Sequence, residues 1–434
     1  MKKDILVSIW CITYNHEPYI RNAIEGFLSQ KTDFAYEIII HDDASTDKTA
    51  EIIKEYEYKY PHLIHGIYET DNQWGKSISD ISWLMNIEKK ACIGKYIAVC
   101  EGDDYWIDRH KLQIQTDYME NHPECTLCLH NALQINCKDG TIRAVNPYDG
   151  DVEKDISSEE IIMQYQGHPP TASVFCRREL IEMPGFFCRT PVGDYPLLLY
   201  GFTRGKIHYD SRVMSVYRWL SPGSYNDRLV RNNEMEFYFD MGLIIFLDKY
   251  DEFTNYKYHV WLVNRIQQFV SRAIATVDTN VSLKEYYKRC KAQGYYLTIE
   301  CGGYLDKMER LRKQIFDMTY CSEKVREFAN CYDNIIIMGK GNYGSIVAKQ
   351  FRNNKVEFCG FAVSKKNKEE DFFMEKPVWE LAKLPFGREN TGVIVAINPL
   401  RWDDILDSLK KAGIVHYICP FLFCEEIHRQ ERLI

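Results

Sequence analysis

Four short apolar runs alternate with helical stripes over the first hundred residues, and that alternation limits the fold more than any other feature of the chain. Residues 5–12, 37–40, 64–68 and 96–100 read as strands, the first, second and fourth apolar enough to be buried on both faces of a mostly parallel sheet. Between them Ile20, Ala23, Ile24, Phe27 and Leu28, then Ala50, Ile52, Ile53 and Tyr56, then Ile78, Ile81, Leu84 and Met85 recur at helical spacing. Pro18 stands near the start of the first helix, read as ending near Gln30, and Ser45, Thr46 or Asp47 can cap the second. A β-α-β-α-β-α-β order predicts an α/β, doubly wound, mostly parallel sheet. Further on, strands are read at 125–131, 171–176 and 207–217, a hairpin turn at Asp139-Gly140, and helices through Leu112, Gln115 and Met119 and over 197–203.

A chain of 434 residues is long for one core, so three regions are expected: 1–225, a helical region over 226–330, and 331–434. In the middle region Leu262, Ile266, Phe269, Val270, Ala273 and Ile274 share a face, as do Leu305, Met308, Leu311, Ile315 and Met318. That reads as a packing or homo-oligomerisation element, with acceptor binding as the other role. The last region opens with a strand over 334–338, then Gly339-Lys340-Gly341-Asn342-Tyr343-Gly344 and a helix, with further strands over 356–363 and 393–397. Strand, Gly-x-Gly-x-x-Gly and helix form the phosphate-cradling turn of dinucleotide-binding folds, so Gly339, Gly341 and Gly344 are a candidate ligand turn of a Rossmann-like module. The second strand ends Val363-Ser364 without the acid that would hold a ribose, which argues against a nicotinamide cofactor.

The net charge of −8 and pI near 5.9 exclude bulk nucleic-acid binding, which draws on concentrated Lys and Arg. No apolar run approaches the roughly 20 residues of a membrane span, so the protein is expected in the cytoplasm. Fifteen scattered cysteines fit reduced core thiols. Cys125 and Cys128 lie three apart on a strand and point to opposite faces, against a zinc or redox pair.

The fourth apolar run passes directly into Glu101-Gly102-Asp103-Asp104-Tyr105-Trp106. Acids this close repel one another and call for water, a cationic partner or a divalent metal. Thr13 and Asp43 end the first two strands and would share the same sheet edge, where ligands collect in open α/β sheets. A nucleotide-sugar needs a partner for its base, groups for its ribose and a cation for its diphosphate, and Asp43, Asp103 and Asp104 meet those needs in that order. Trp106 reads as packing rather than sugar stacking.

Tyr14-Asn15 with Tyr19-Ile20, then Asp42-Asp43-Ala44-Ser45-Thr46-Asp47, then Glu101-Gly102-Asp103-Asp104-Tyr105-Trp106, resemble the family 2 glycosyltransferases of GT-A fold over roughly residues 4–220. The resemblance implies that Asp43 contacts the base, that Asp103 serves the ribose and the metal side, and that Asp104 binds Mn²⁺ or Mg²⁺. Thr13, with Glu17 beside it, would line the nucleotide pocket, and Lys76 would meet the diphosphate. Asp194, after Gly193, matches the family's catalytic base for an inverting transfer; the plain reading is a helix N-cap. His168 and His208 are the histidines weighed as a further metal ligand, since residues 217–221 carry no His where many relatives do. The implied activity moves a sugar from a nucleoside-diphosphate sugar to a saccharide or lipid-linked saccharide in polysaccharide or glycoconjugate assembly, in the cytoplasm or at the inner face of the membrane. Two other readings are a nucleotidyltransferase, which would need a glycine-rich basic loop where this chain has Thr13-Tyr14-Asn15-His16-Glu17-Pro18, and a non-catalytic nucleotide-sugar scaffold, against which the intact acids count.

Overall fold

The computed structural model describes residues 4–76, 80–148, 152–164, 167–278, 281–316, 325–353, 355–364, 372–396 and 402–418. The chain forms two compact units, one of Met1–Gln267 with Tyr287–Glu300 and one of Gln268–Tyr286 with Cys301–Ile434. The helical stretch 226–330 is thus divided between them; of the helical positions expected above, Ile78, Met318 and the side chain of Ile315 lie outside the described residues.

In the first unit the strands are β1 (Ile5–Thr13), β2 (Ala35–Asp42), β3 (Ile64–Tyr68), β4 (Tyr96–Glu101), β5 (Tyr105–Trp106), β6 (Cys125–Asn136), β7 (Ile142–Ala144), β8 (Lys154–Asp155), β9 (Phe175–Arg177) and β10 (Lys206–Trp219). They make one sheet in the order β3-β2-β1-β4-β9-β6-β10-β5, with β7 on β6 and β8 on β10. β3, β2, β1 and β4 are parallel, β9 runs antiparallel between β4 and β6, and β10 is parallel to β6. The β1–β4 half is covered by helices Ile20–Leu28 and Thr49–Lys59, whose Ile20, Ala23, Ile24, Phe27, Ile52 and Ile53 pack with Val7, Ile9, Ile38 and Ile40 in one core.

The strand expected over 171–176 forms only in part. Pro169 and Pro170 fix the preceding backbone, Ser173 N–H bonds the Pro170 carbonyl at 2.8 Å and Val174 N–H that of Thr171 at 3.0 Å, so Thr171–Ser173 is a helical turn before β9. The helix expected from Leu197 begins earlier, at Asp194, and runs to Arg204. Trp106 is buried, its indole N–H bonding the Ala172 carbonyl at 3.0 Å, as a packing residue. The apolar stretch 241–247 lies inside helix Asn233–Phe253, capped by the Asn232 side chain on Met235 N–H. Among the described residues no helix is long and apolar enough to cross a membrane.

In the second unit, β11 (Asn334–Met338), β12 (Gly360–Val363), β13 (Phe372–Phe373), β14 (Lys376–Glu380), β15 (Thr391–Val395) and β16 (Tyr417–Ile418) form a sheet ordered β13-β14-β12-β11-β15-β16, parallel from β14 to β16. β12 starts at Gly360, later than expected, because Val356 N–H still bonds the Phe351 carbonyl and closes the preceding helix. β15 ends at Val395, and Ile397 lies outside the described residues. The turn after β11 requires its glycines unequally. Gly339 holds φ +107°, a conformation that suits only glycine. A Cβ on Gly344 would stand 2.1 Å from the Gly339 carbonyl oxygen, whereas one on Gly341 would meet nothing within 4 Å.

That asymmetry is measurable. Gly344→Ala is expected to lower the stability of the second unit by about 1–3 kcal/mol, as overpacking against backbone does, and Gly341→Ala by less than about 0.5 kcal/mol. Equilibrium urea unfolding of both variants checks it; equal losses would contradict the geometry.

Candidate active site

The parallel register sets Thr13 of β1 against Asp42 of β2, and Ile12 against Glu101 of β4. The loops leaving all three strands therefore emerge side by side at one sheet edge, as the sequence had led us to expect for Thr13, Asp43 and the acid run. The first two loops are laced together. Asn15 accepts from Thr46 N–H at 2.7 Å, its own N–H donates to Ser45 Oγ at 2.8 Å, and Ser45 N–H donates to Asp42. Asn15 and Ala44 take φ of +54° and +61° here; alanine adopts that region only under constraint.

Glu17 is tied to the start of helix Thr49–Lys59: its carboxylate accepts from Lys48 N–H at 3.2 Å and its N–H donates to Asp47 at 3.0 Å. Asp43 is buried, and its two oxygens accept the N–H groups of Gln73 at 2.7 Å and Trp74 at 2.9 Å, which open the short helix Gln73–Lys76. Lys76 closes that helix, and its side chain lies outside the described residues. Thr13 is buried, and among the described residues neither its Oγ1 nor Nδ1 of His16 has a partner. Both press on the turn of the acid loop, where a Cβ on Gly102 would lie 2.8 Å from Thr13 Oγ1 and 2.9 Å from His16 Nδ1.

Asp103 and Asp104 are buried and are held from the far end of β10. Ser221 Oγ donates to Asp103 Oδ2 at 2.7 Å, and Arg218 N–H donates to Asp104 Oδ1 at 2.8 Å. The Arg218 guanidinium bonds the Asp103 carbonyl and the Asn22 side chain, between the rings of Tyr19 and Tyr105 at 4.9 and 4.5 Å. Burial first, then the charges of Asp103 and Glu101, push the Asp104 carboxyl well up. Glu101 is raised in the same way by burial, Asp103 and Asp194, with the Thr171 hydroxyl opposing.

Asp194 opens helix Asp194–Arg204, where the positive end of the helix suits a carboxylate. Its Oδ1 accepts from Tyr195 N–H at 2.7 Å; Thr171 Oγ1 lies 3.5 Å and His168 Nε2 2.8 Å from its Oδ2. Burial would raise this carboxyl, but the His168 imidazole and the backbone N–H outweigh it and hold Asp194 below its ordinary value. Tyr217 of β10 gathers the cluster: burial, and after it the charges of Asp104, Glu101, Asp103 and Asp194, drive its phenol well up. Its oxygen accepts from the Asn226 amide at 2.7 Å.

His168 is thus the partner of Asp194. His208 is engaged elsewhere, 3.0 Å from Glu153 and stacked on Tyr118. Among the described residues no group of three or more His, Cys, Asp or Glu is arranged to hold a metal ion. Sequence reasoning passed over Arg218, Ser221, Thr171 and Tyr217. The segment 217–221 was read only for a missing histidine, although a buried acid pair needs donors, and Arg and Ser are donors.

Residues 8–176 match the model of glycosyl transferase family 2, which supports a domain of that family in the N-terminal part of the chain, on a sheet of GT-A-like arrangement. Among curated proteins, an uncharacterised protein of Mycobacterium tuberculosis is 46% identical over 136 residues, 31% of this chain and 37% of that one. An uncharacterised glycosyltransferase of Nostoc is 28% identical over 185 residues, 42% of this chain and 52% of that one. The matches thus span between about a third and a half of these relatives' length. Among solved structures, Staphylococcus aureus TarS 1-349 in complex with UDP-GlcNAc is 14% identical, with a TM-score of 0.49 over 81% of this chain and 92% of that one. The mannosyltransferase PcManGT of Pyrobaculum calidifontis with GDP-Man and Mn²⁺ is 14% identical, with a TM-score of 0.41 over 68% and 81%.

The raised Asp104 carboxyl carries a stability consequence with a definite sign. A folded-state value above the unfolded one means that ionisation opposes folding, a penalty absent below about pH 4 and growing as pH rises through the unfolded value. In chelating buffer near pH 8, Asp104→Asn is expected to raise the Tm, and the gain should vanish toward about pH 4. Thermal unfolding across that range checks it; a gain independent of pH would contradict the burial argument.

Proposed function

We propose that the chain is a metal-dependent inverting glycosyltransferase that moves a sugar from a nucleoside-diphosphate sugar to a hydroxyl of a saccharide or lipid-linked saccharide, in polysaccharide or glycoconjugate assembly. The observation that carries this reading is the gathering of Asp103, Asp104 and Asp194 about Tyr217, because such a transfer needs a diphosphate-cation site and a carboxylate base around one reaction centre.

The donor side follows from the strand ends. Asp43, rigid through its two backbone bonds, serves the base. Thr13, whose buried hydroxyl lacks a partner, and Asp103 serve the ribose. Glu17 and Lys76 complete the pocket's rim, Lys76 toward the diphosphate. Ser221 and Arg218 each engage one oxygen of Asp103 and Asp104, so a second oxygen of each acid can serve a cation. Two hard carboxylate donors, with diphosphate oxygens filling the shell, suit Mn²⁺ or Mg²⁺, and the raised Asp104 carboxyl marks a site short of positive charge. When bound, the ion would neutralise charge developing on the leaving diphosphate. Asp194, held ionised, accepts the acceptor's hydroxyl proton while the acceptor oxygen bonds the sugar C1 and the C1–O bond to the diphosphate breaks with its electron pair.

For the second unit, the parallel sheet and the Gly339, Gly341, Gly344 turn support a Rossmann-like module, either vestigial or taking a sugar-nucleotide.

With a panel of nucleoside-diphosphate sugars and Mn²⁺, the purified chain is expected to release nucleoside diphosphate. Asp194→Asn and Asp104→Ala should each lower turnover by at least about 10²-fold while the thermal unfolding transition is kept. Full turnover in either variant would remove that residue from its role, and pyrophosphate release from a nucleoside triphosphate and a sugar phosphate would contradict the transferase reading.

A further inference from the structure

We infer that His168, fixed by Gln164, is a positioning residue for the base, its imidazole held against Asp194 so that the carboxylate stays ionised and aimed at the acceptor. The inference rests on the transferase reading of Asp194. His168 Nε2 stands 2.8 Å from Asp194 Oδ2. The other ring nitrogen, Nδ1, stands 2.8 Å from Nε2 of Gln164. An amide nitrogen only donates, so Nδ1 must accept, and the single proton of a neutral imidazole is then on Nε2, on the side of Asp194. Gln164 is itself constrained: it is buried, holds φ +47°, and ends helix Ser158–Met163, which a reciprocal Ser157–Glu160 capping box anchors. The His168 ring meets the Tyr195 ring edge-on at 6.2 Å, and the Tyr195 hydroxyl is tied to the Ile162 carbonyl at 2.6 Å. Helix 158–163 and helix 194–204 thus grip the imidazole from two sides.

A carboxylate in this place has a specific difficulty. Among the described residues the other titratable groups that face Asp194 are Glu101 at the end of β4, Tyr217 on β10 and Tyr225 of helix Tyr225–Leu229, and none of them brings positive charge. Burial beside Glu101 favours the protonated acid, which cannot take a proton. The His168 imidazole, 2.8 Å away, offsets that, together with Tyr195 N–H on the other oxygen. During transfer the acceptor O–H bond breaks, its proton goes to Asp194, its electron pair forms the bond to C1, and the pair of the C1–O bond leaves on the diphosphate.

The test compares kcat against pH for wild type, His168→Ala and His168→Gln. Removing the imidazole lets burial raise the Asp194 carboxyl, so the acid limb of kcat moves to higher pH. In His168→Ala kcat falls by on the order of tenfold to a hundredfold, less than the ~10²–10⁴ carried by a base itself, with donor KM unchanged. His168→Gln, whose amide can still donate, recovers part of the loss, and thermal unfolding of both variants controls for folding. Independently of turnover, histidine ¹⁵N spectra of the full chain should show His168 protonated on Nε2 and bare on Nδ1. An acid limb that stays in place in both variants, or the opposite tautomer, overturns the inference. If Asp194→Asn keeps full transfer, the base reading falls and this one with it. If Asp194→Asn is inactive while His168→Ala is unchanged, only the role of His168 falls.

Discussion

Placing carboxylates beside one another away from water works against folding, because each loses solvation and meets its neighbours' charge at short range. The loop after β4 does this with three acids in four residues, and the start of helix Asp194–Arg204 brings in a fourth. Around this repulsion the rest of the first unit is arranged. The parallel β1, β2 and β4 put their loops at one edge. β10, in register with β6, carries Tyr217, Arg218 and, just beyond its end, Ser221 back over the acids. Part of the negative charge meets backbone N–H groups, a hydroxyl and one guanidinium. The remainder is what a cation-bearing ligand would satisfy.

The strained positions fall in the same places. Asn15 and Ala44 in the first two loops and Leu220 just before Ser221 all hold positive φ. Such conformations persist where surrounding bonds over-determine them, as the Asn15–Thr46 and Asp42–Ser45 bonds do here. The acids and the strain together describe a unit whose sheet and helix core, with Val7, Ile9, Ile38 and Ile40 fully buried, supports an edge that is unfavourable by itself.

How much of this the sequence carried depended on whether a feature was local. The strands 5–12, 37–40 and 96–100 were legible because apolar runs ending in polar loops have few other solutions, and Asp43 and Asp103-Asp104 were legible because they sit at those ends. The 3₁₀ turn at Thr171–Ser173 reads as strand because it runs straight into the apolar Val174-Phe175-Cys176, while the Pro169-Pro170 pair before it sets a turn. What joins distant segments left no local trace. Arg218 and Ser221 reach acids more than a hundred residues earlier through the register of β10. Asp43 spends its bonds on Gln73 and Trp74, a loop the strand pattern does not specify. His168 was weighed as a metal ligand because histidines in late loops often are, and only the fold brings its ring against Asp194.

The central claim is that one carboxylate, Asp194, acts as base against a donor held at the Asp103-Asp104 edge, so that a single in-line displacement occurs at the sugar C1. The anomeric configuration of the product, read by NMR from a nucleoside-diphosphate sugar of known configuration before any mutarotation, tests this most directly. Inversion at C1 is expected. Retention would require a second displacement or a different nucleophile, and would contradict the roles given to Asp194 and to the acids that face it.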